Sequence, residues 1–244
     1  MASMGISTLF DQKEYMSDAH DILQQYWHYD SFRPLQKEII DSVLGGHDTL
    51  ALLPTGGGKS LCYQVPALAL EGVTLVVSPL IALMTDQVTQ LKKRHIKAYC
   101  ITSGMTKRQI EIVLNHCLHD DVKLLYVSPE RLKSKYFLSH LREMRISLIA
   151  VDEAHCISQW GYDFRPSYLE IAKIRTYHPK APVVALTATA TPEVVNDIVL
   201  RLNFREGNTF RSVLVANRLA CYPYHPAEDC EGNPRQKEGA GGGQ

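Results

Sequence analysis

The chain has 244 residues, of which 45% are hydrophobic and 21% are charged, and these fractions are typical of soluble globular proteins. Lys plus Arg number 26 and Asp plus Glu number 26, so the net charge neither indicates nor excludes a nucleic-acid partner, which a local basic face could bind. No apolar run approaches the roughly 20 residues that a membrane-spanning helix needs, and residues 1–15 contain no apolar signal stretch. We therefore expect a cytoplasmic protein without a membrane partner.

Two helices are predicted ahead of the first strand. The first spans residues 17–26 and the second spans residues 34–44. The second begins with a proline, which suits a first helical turn, and it ends at Gly45. We assign residues 1–30 to an N-terminal helical lead-in and residues 31–206 to the main domain.

The central part of the chain alternates between short apolar runs and longer segments with helical spacing. Six of the runs are rich in β-branched and aliphatic residues and are predicted as strands: Thr49–Leu53, Val73–Ser78, Ala98–Thr102, Val122–Ser128, Ser147–Asp152 and Val183–Thr187. Near-continuous apolar strands that alternate with helices indicate a parallel sheet covered on both faces. The predicted fold class is therefore α/β: a doubly wound, mainly parallel sheet with helices on both faces. Ligands bind such sheets at the carboxyl ends of the strands, where polar and glycine-rich residues recur in this sequence.

A glycine-rich loop follows the first predicted strand and precedes a helix that begins near Leu61. The loop reads Thr55-Gly56-Gly57-Gly58-Lys59-Ser60. Residues without side chains let backbone N–H groups approach phosphates, and the helix N-terminus adds a partial positive charge. Lys59 would bridge the β- and γ-phosphates of ATP, and the Ser60 hydroxyl would ligate Mg²⁺. Leu53 stands where the strict phosphate-loop pattern has glycine, and the alternative interpretation is a flexible turn without a ligand.

Another predicted strand ends in two adjacent carboxylates. Asp152 and Glu153 follow the apolar run Leu148–Val151, and His155 comes two residues later. This is the Walker B arrangement, in which Asp152 would hold Mg²⁺ while Glu153 would orient the attacking water and accept its proton. His155 could couple the nucleotide to neighbouring groups. Acidic residues at a strand end are also common in solvated turns, so this interpretation depends on the phosphate loop.

Further motifs occur in order between residues 25 and 203. They are Phe32-Arg33-Pro34-Leu35-Gln36, Val76–Gln87, Val127–Leu132, Asp152–Gly161 with Asp163–Pro166, and Ala185–Ala190. With these motifs the chain resembles the N-terminal RecA-like motor domain of the RecQ-family ATP-dependent DNA helicases of superfamily 2. Leu35 departs from the family pattern, which has glycine at this position. The resemblance implies ATP and Mg²⁺ as cofactors and a 3′-to-5′ DNA helicase motor as the function.

The resemblance also implies a pocket for the adenine base. Gln36 would read the edge of the base, because its carboxamide offers both a donor and an acceptor. Tyr29 would stack on the base, and Arg33 would support the pocket. The alternative for these residues is a capped and packed helix start.

Single-stranded or partly duplex DNA is the partner that the resemblance implies. In the family an aromatic-rich loop senses single-stranded DNA, and the matching segment of this chain carries Trp160, Phe164 and Arg165. Aromatic faces stack on unpaired bases without sequence preference. Considered without the family, Trp160 and Phe164 would instead be interpreted as core anchors. Ser78 and Arg131 lie at predicted strand ends and could hold DNA phosphates.

Residues 208–211 match the point where an inter-domain connection should begin, and from Ser212 onward the chain loses the family pattern. Residues 207–244 are assigned to this last part. We expect a truncated inter-domain connection followed by a disordered or non-native tail, because the composition offers little apolar surface to bury. We also expect the second RecA-like domain of the parent chain to be missing. In the resembling helicases that domain supplies an arginine to the ATP site. The isolated fragment is therefore expected to be nearly inactive in unwinding.

Two other functions stay open at this point. An RNA-directed DEAH-type ATPase would share the nucleotide motifs, and a non-catalytic adaptor would bind nucleotide or DNA without turnover. The aromatic-rich loop argues against the first, and the intact Lys59, Asp152 and Glu153 argue against the second. Roles in DNA repair and recombination, and association with the nucleoid if the source is bacterial, are what the family implies.

Overall fold

The computed structural model describes residues 19–161, 163–205, 207–211 and 220–223. An eight-stranded sheet forms the centre of the described part. Its strands are β1 (Asp48–Leu52), β2 (Val73–Val77), β3 (Ala98–Ile101), β4 (Leu124–Val127), β5 (Ile146–Val151), β6 (Val183–Thr187), β7 (Gly207–Arg211) and β8 (Ala220–Pro223). In space their order is β3-β4-β2-β5-β6-β1-β7-β8.

Strands β1 to β7 are parallel, and β8 runs antiparallel to β7. The helices are α1 (residues 19–27), α2 (Gln36–Leu44), α3 (Leu61–Ala69), α4 (Ile81–Lys93), α5 (Lys107–His119), α6 (Lys135–Glu143), α7 (Ile171–Tyr177) and α8 (Pro192–Arg201), with 3₁₀ turns at Pro129–Lys133, Ala154–Ile157 and Pro166–Glu170. The predicted doubly wound, mainly parallel α/β fold is confirmed. No helix in the described ranges combines the length and the apolar character that crossing a membrane requires.

Apolar side chains on the two faces of the sheet form two separate cores, because successive strand residues point to opposite faces. One core joins the sheet to α5, α6, α7 and α8 through residues such as Leu114, Phe137 and Ile198. The other joins it to α2, α3 and α4 through residues such as Ile39 and Met84. All five of these side chains are buried. Because a one-residue slip would exchange the two sets, burial on both faces fixes the strand register.

The register aligns the carboxyl ends of four neighbouring strands. Val77 at the end of β2 pairs with Val151 at the end of β5, which pairs with Ala185 in β6. On the other side of β6, Thr187 pairs with Leu52 of β1. The segments that follow these strands, including the glycine-rich loop and the predicted Walker B residues, therefore lie side by side at one edge of the sheet.

Several predicted element boundaries shift by one or two residues, and two differences affect the description of the fold. The prediction that the second helix begins at Pro34 is wrong: α2 begins at Gln36, because Leu35 has φ 69° and ψ −16°, which no right-handed helix contains. The sheet also continues beyond residue 206, where β7 pairs with β1. The predicted first-helix start and most of the predicted tail, residues 212–219 and 224–244, lie outside the described residues. The division into three parts stays a prediction.

The amino end of β1 is held by a buried carboxylate that the sequence did not reveal. Asp48 is 1% exposed and accepts from the Arg175 guanidinium at 2.8 Å. It also accepts from the backbone N–H groups of Val183 at 2.9 Å and Arg205 at 2.7 Å. A buried charge is tolerated when it is paired and hydrogen-bonded in this way. The contacts join the starts of β1 and β6 to the segment that precedes β7.

Leu35 provides a test of backbone strain, because it is buried yet adopts the left-handed conformation that favours glycine. We predict that Leu35→Ala lowers the free energy of unfolding by about 3 kcal/mol, since it leaves a cavity. Leu35→Gly removes the same side chain but relieves strain of about 1 kcal/mol, so it should be no more destabilising than Leu35→Ala. Urea denaturation of both variants measures the difference. A glycine variant less stable than the alanine variant by about 1 kcal/mol, the usual cost of glycine, would contradict the strain argument.

Candidate active site

The glycine-rich loop makes a tight turn between β1 and α3. A Cβ on Gly58, which has φ 76°, would lie 2.2 Å from Nε2 of Gln36, so no side chain fits there. A Cβ on Gly57 would lie 2.8 Å from the carbonyl oxygen of Pro54, to which the Gly57 N–H donates at 2.9 Å. Leu53, at the position where the strict pattern has glycine, is buried in the core. The close approach is therefore at Gly57 and Gly58, whereas Gly56 has open space around it and a φ of 76°.

A cavity of about 740 Å³ opens beside this loop. It is lined by the residues predicted to bind the base and by most of the loop: Tyr29, Arg33, Gln36, Gly56, Gly58, Lys59 and Ser60. Thr55 and Gly57 belong to the loop but are not among the lining residues. The volume is within the range of small-molecule sites, and a nucleoside triphosphate fits it.

Arg33 and Gln36 contact the loop itself. Nη1 of Arg33 donates to the carbonyl oxygen of Gly56 at 2.6 Å, and Nε2 of Gln36 donates to that of Gly58 at 3.0 Å. Oε1 of Gln36 accepts from the backbone N–H of Arg33 at 2.8 Å. Tyr29 is half exposed. The adenine roles of these three side chains stay predictions, and Gln36 could contact a base only by sharing its present hydrogen bonds.

The Lys59 ammonium lies against the start of the loop. Its Nζ donates to the carbonyl oxygens of Leu53 at 3.2 Å and Pro54 at 3.5 Å. Its positive charge opposes the burial that raises the pKa of Asp152 and adds to the His155 hydrogen bond that lowers the pKa of Glu153. Because an anionic phosphate adds a charge–charge attraction that a neutral carbonyl lacks, a phosphate would compete effectively for this ammonium.

Asp152 takes part in four hydrogen bonds, two through its carboxylate and two through its backbone. Its Oδ2 accepts from Oγ of Ser78 at 3.1 Å, and its Oδ1 accepts from the Glu153 N–H at 3.0 Å. Its own N–H donates to Val77, and its carbonyl oxygen accepts from the Tyr168 hydroxyl. Burial raises the pKa of Asp152, and the neighbouring Glu153 carboxylate raises it further. A cation bound at Asp152 would offset both effects.

Glu153 forms an ion pair that reaches the end of β6. Nδ1 of His155 lies 3.3 Å from Oε2 of Glu153 and 3.0 Å from Oγ1 of Thr187, whose hydroxyl donates to the carbonyl of Thr189. The hydrogen bond from His155 lowers the pKa of Glu153. Contact with the Cys156 sulfur and with Glu153 raises the pKa of His155 to about 10. Both members of the pair are therefore ionised at neutral pH.

The donor groups at this edge fit Mg²⁺. Nucleotide sites hold Mg²⁺ through one or two carboxylates together with phosphate oxygens and water. Within the described ranges, no three His, Cys, Asp or Glu side chains form a metal-binding cluster. Burial and the Glu153 carboxylate raise the pKa of Asp152 despite the positive charge of Lys59, so a bound cation would stabilise the ionised carboxylate. Ser60 and Asp152 stay the predicted ligands.

The aromatic-rich loop follows the Walker B residues and exposes its tryptophan. Trp160 is 75% exposed, so an interpretation as a core anchor is wrong. The backbone N–H of Trp160 donates to Oγ of buried Ser158 at 3.1 Å, and the Ser158 hydroxyl donates to the carboxylate of Asp197 in α8 at 2.8 Å. Trp160 also lines a cavity of about 480 Å³ together with His155 and Arg211. The loop thus presents an accessible indole ring beside the Glu153 ion pair.

The other predicted DNA-binding residues do not gather around this tryptophan. Phe164 is half-buried, and Arg165 forms an ion pair with Asp163 at 2.8 Å. Ser78 is buried and donates to the Walker B carboxylate. Arg131 lines a different cavity between α5 and α6. Their DNA contacts stay predictions, and for Ser78 the geometry indicates a role at the nucleotide site instead.

Sequence analysis missed the polar side chains on the far wall of the nucleotide cavity. This wall contains Gln64, Gln87, Gln90 and Arg94. Gln64 had a recognisable signal: it follows Ser60 by one helical turn and is the one amide in the otherwise apolar and aromatic helix α3. Gln87 and Gln90 on α4, and Arg94 just after its last residue, had none, because polar residues on a helix are ordinarily solvent-facing.

Comparison with known proteins gives a consistent result. A family model described as DEAD/DEAH box helicase matches residues 33–198. The chain is 46% identical over 192 residues to the ATP-dependent DNA helicase RecQ of Pasteurella multocida, and the match covers 79% of the chain and 30% of that protein. It is 49% identical over 185 residues to the probable ATP-dependent DNA helicase RecS of Bacillus subtilis, covering 75% of the chain and 37% of that protein. The chain spans about a third of the length of these relatives.

A solved structure supports the same fold. The helicase domain of Hef from Pyrococcus furiosus superposes with a TM-score of 0.58 at 20% identity, over 78% of this chain and 38% of that one. At this identity the similarity concerns the fold alone.

The Glu153–His155 ion pair predicts a pH dependence of stability. The folded pKa of His155 is raised from 6.5 to about 10, so its contribution is complete below pH 6.5 and is lost as the pH rises toward 10. The pKa of Glu153 is lowered from 4.5, so its contribution is lost as the pH falls below that value. The difference in unfolding free energy between wild type and His155→Asn should therefore be largest between pH 4.5 and pH 6.5, where both contributions are complete. Urea denaturation at a series of pH values measures this difference.

His178 supplies a control of opposite sign. Burial lowers the pKa of His178, so its contribution should be lost at low rather than high pH. A His155→Asn difference that stays constant from neutral pH to pH 10, or follows the trend of His178→Asn, would contradict the ion pair.

Proposed function

The chain belongs to the DEAD/DEAH box helicase family, and on this premise we propose that it is the N-terminal motor domain of an ATP-dependent 3′-to-5′ DNA helicase, which binds ATP–Mg²⁺ and single-stranded DNA. The observation that carries the proposal is the common sheet edge, where the glycine-rich loop with Lys59 and Ser60 follows β1 and the Asp152 and Glu153 carboxylates follow β5. Similarity to proteins named ATP-dependent DNA helicases supports the reaction class.

Each residue at this edge has a proposed task in ATP hydrolysis. The loop N–H groups and Lys59 hold the phosphates, and Ser60 and Asp152 hold Mg²⁺, which neutralises phosphate charge when bound. Glu153 orients the attacking water and accepts its proton. His155 keeps Glu153 ionised and oriented through the 3.3 Å contact. A carboxylate with a lowered pKa is a weak base, so positioning of the water is the larger part of its task.

The DNA strand is proposed to contact the aromatic-rich loop. Its exposed tryptophan, Trp160, can stack on an unpaired base, and such stacking is worth about 1–3 kcal/mol per base. Phe164 and Arg165 would support this contact from the same loop, and Arg131 would bind backbone phosphate. DNA bound there lies next to His155, since Trp160 and His155 line one cavity.

Slow turnover by the isolated chain is part of the proposal. The arginines of the nucleotide cavity already donate to backbone carbonyls: Arg33 to Gly56 and Arg94 to Gln90. Both arginines are therefore engaged with the protein itself in this structure. In related nucleotide hydrolases an arginine supplied by a partner contributes about three to five orders of magnitude in rate. We propose that a second motor domain supplies this group in the parent enzyme.

The loop lysine gives the most direct test of the nucleotide site. We predict that Lys59→Ala weakens binding of a fluorescent ATP analogue in the presence of Mg²⁺ by about 10- to 100-fold, because one charge-assisted hydrogen bond of about 1.5–3 kcal/mol is lost. Lys93→Ala, which removes an exposed lysine of α4, should bind the analogue like the wild type. Fluorescence titration measures both affinities.

Equal affinities for wild type and Lys59→Ala would contradict the assigned site. Hydrolysis assays on the same proteins separate the alternatives. Turnover stimulated by RNA but not by single-stranded DNA would favour an RNA-directed ATPase. Rapid DNA-stimulated turnover by the chain alone would contradict the need for a second domain.

A further inference from the structure

A partly buried hydrogen bond connects the phosphate-loop helix α3 to the neighbouring helix α4. Nε2 of Gln64 donates to Oε1 of Gln87 at 2.7 Å and to the hydroxyl of Tyr126 in β4 at 3.2 Å. Gln64 is 3% exposed and Tyr126 is 1% exposed. Both protons of the Gln64 amide are thus used inside the protein, and an unpaired buried amide would cost free energy. The orientation of the Gln64 side chain is therefore fixed by these two acceptors.

The Gln64–Gln87 hydrogen bond starts at the nucleotide cavity. Both glutamines line it, and the backbone N–H of Gln64 donates to the carbonyl oxygen of Ser60 at 2.9 Å. Gln64 therefore belongs to the first turn after the loop. When phosphate takes the Lys59 ammonium from the carbonyl of Leu53, the loop and this first turn must adjust together.

Helix α4 is attached to the nucleotide site at two points. Gln87 joins its middle to α3, and Ser78, just ahead of the helix, donates to Asp152. Between these points the N-terminal turn of α4 is open to solvent, with Ile81 41% exposed and Leu83 45% exposed. A shift of Gln87 or of Ser78 can therefore change how well ordered the exposed N-terminal turn of α4 is.

We propose that the Gln64–Gln87 hydrogen bond transmits nucleotide occupancy of the loop to α4, with Tyr126 holding the Gln64 amide in place. This inference rests on the proposed function, because it requires that a nucleotide binds the loop. The two glutamines are positioning residues in this account. They affect how well ordered helix α4 is, and they take no part in the chemistry of hydrolysis.

Hydrogen exchange of the full chain tests the proposal. Amide exchange in residues 81–90 is measured with and without a non-hydrolysable ATP analogue and Mg²⁺, each protein being saturated according to its own measured affinity. In the wild type we expect nucleotide to slow exchange in this segment several-fold. Gln87→Leu, which removes the acceptor, should abolish the change even at full occupancy. Gln87→Glu keeps an acceptor oxygen, so nucleotide should again slow exchange in this segment. Thr89→Ala, on the exposed face of α4, is the control and should show the wild-type slowing.

Each result has a distinct meaning. Wild-type chain that binds the analogue but shows no change in residues 81–90 overturns this inference and leaves the proposed function intact. The inference is also overturned if nucleotide still slows exchange in residues 81–90 of saturated Gln87→Leu. It is overturned as well if Thr89→Ala loses this slowing to the same extent as Gln87→Leu. Wild-type chain that binds no nucleotide overturns both proposals. The inference is supported if the nucleotide-dependent slowing is lost in Gln87→Leu and present in Gln87→Glu. A substitution that only weakened the helix would not be corrected by restoring an acceptor oxygen.

Discussion

The common direction of β2, β5, β6 and β1 is the constraint on which the rest of the structure depends. Because these neighbours are parallel and in register, the segments that follow them meet at one edge of the sheet. The hydrogen bond from Ser78 to Asp152 and the one between His155 and Thr187 both join the ends of different strands. Each local motif is ordinary by itself, and chemistry becomes possible because the sheet brings the motifs together.

The opposite edge of the sheet makes this arrangement rigid. Asp48 accepts from Arg175 and from two backbone N–H groups, so the starts of β1 and β6 are tied together far from the nucleotide cavity. Removing one partner of such a buried pair typically costs about 3–5 kcal/mol, because an uncompensated charge stays behind. The two edges therefore have different tasks: the buried ion pair holds the strands, and the exposed loops at the other edge are free to bind.

The sequence predicted the sheet and the phosphate loop well, because both depend on local patterns. Apolar strands alternate with helices, and consecutive glycines precede Lys59. The left-handed backbone of Leu35 had one signal, the glycine that the resembling family has at this position, because glycine favours that conformation. The Asp48–Arg175 pair was not predictable, since it joins residues far apart in the chain. The same reason hid the Gln64–Gln87 hydrogen bond, because nothing in the spacing of two glutamines on separate helices indicates that they meet.

The central claim is that Lys59, Ser60 and Asp152 form one nucleotide site. A crystal structure of the chain with Mg²⁺ and a non-hydrolysable ATP analogue tests it most directly. The account predicts that the Lys59 ammonium leaves the carbonyls of Leu53 and Pro54 for the phosphates, with the metal ion between Ser60 and Asp152. An analogue bound outside the loop cavity, or phosphates bound while Lys59 keeps both carbonyl contacts, would contradict it.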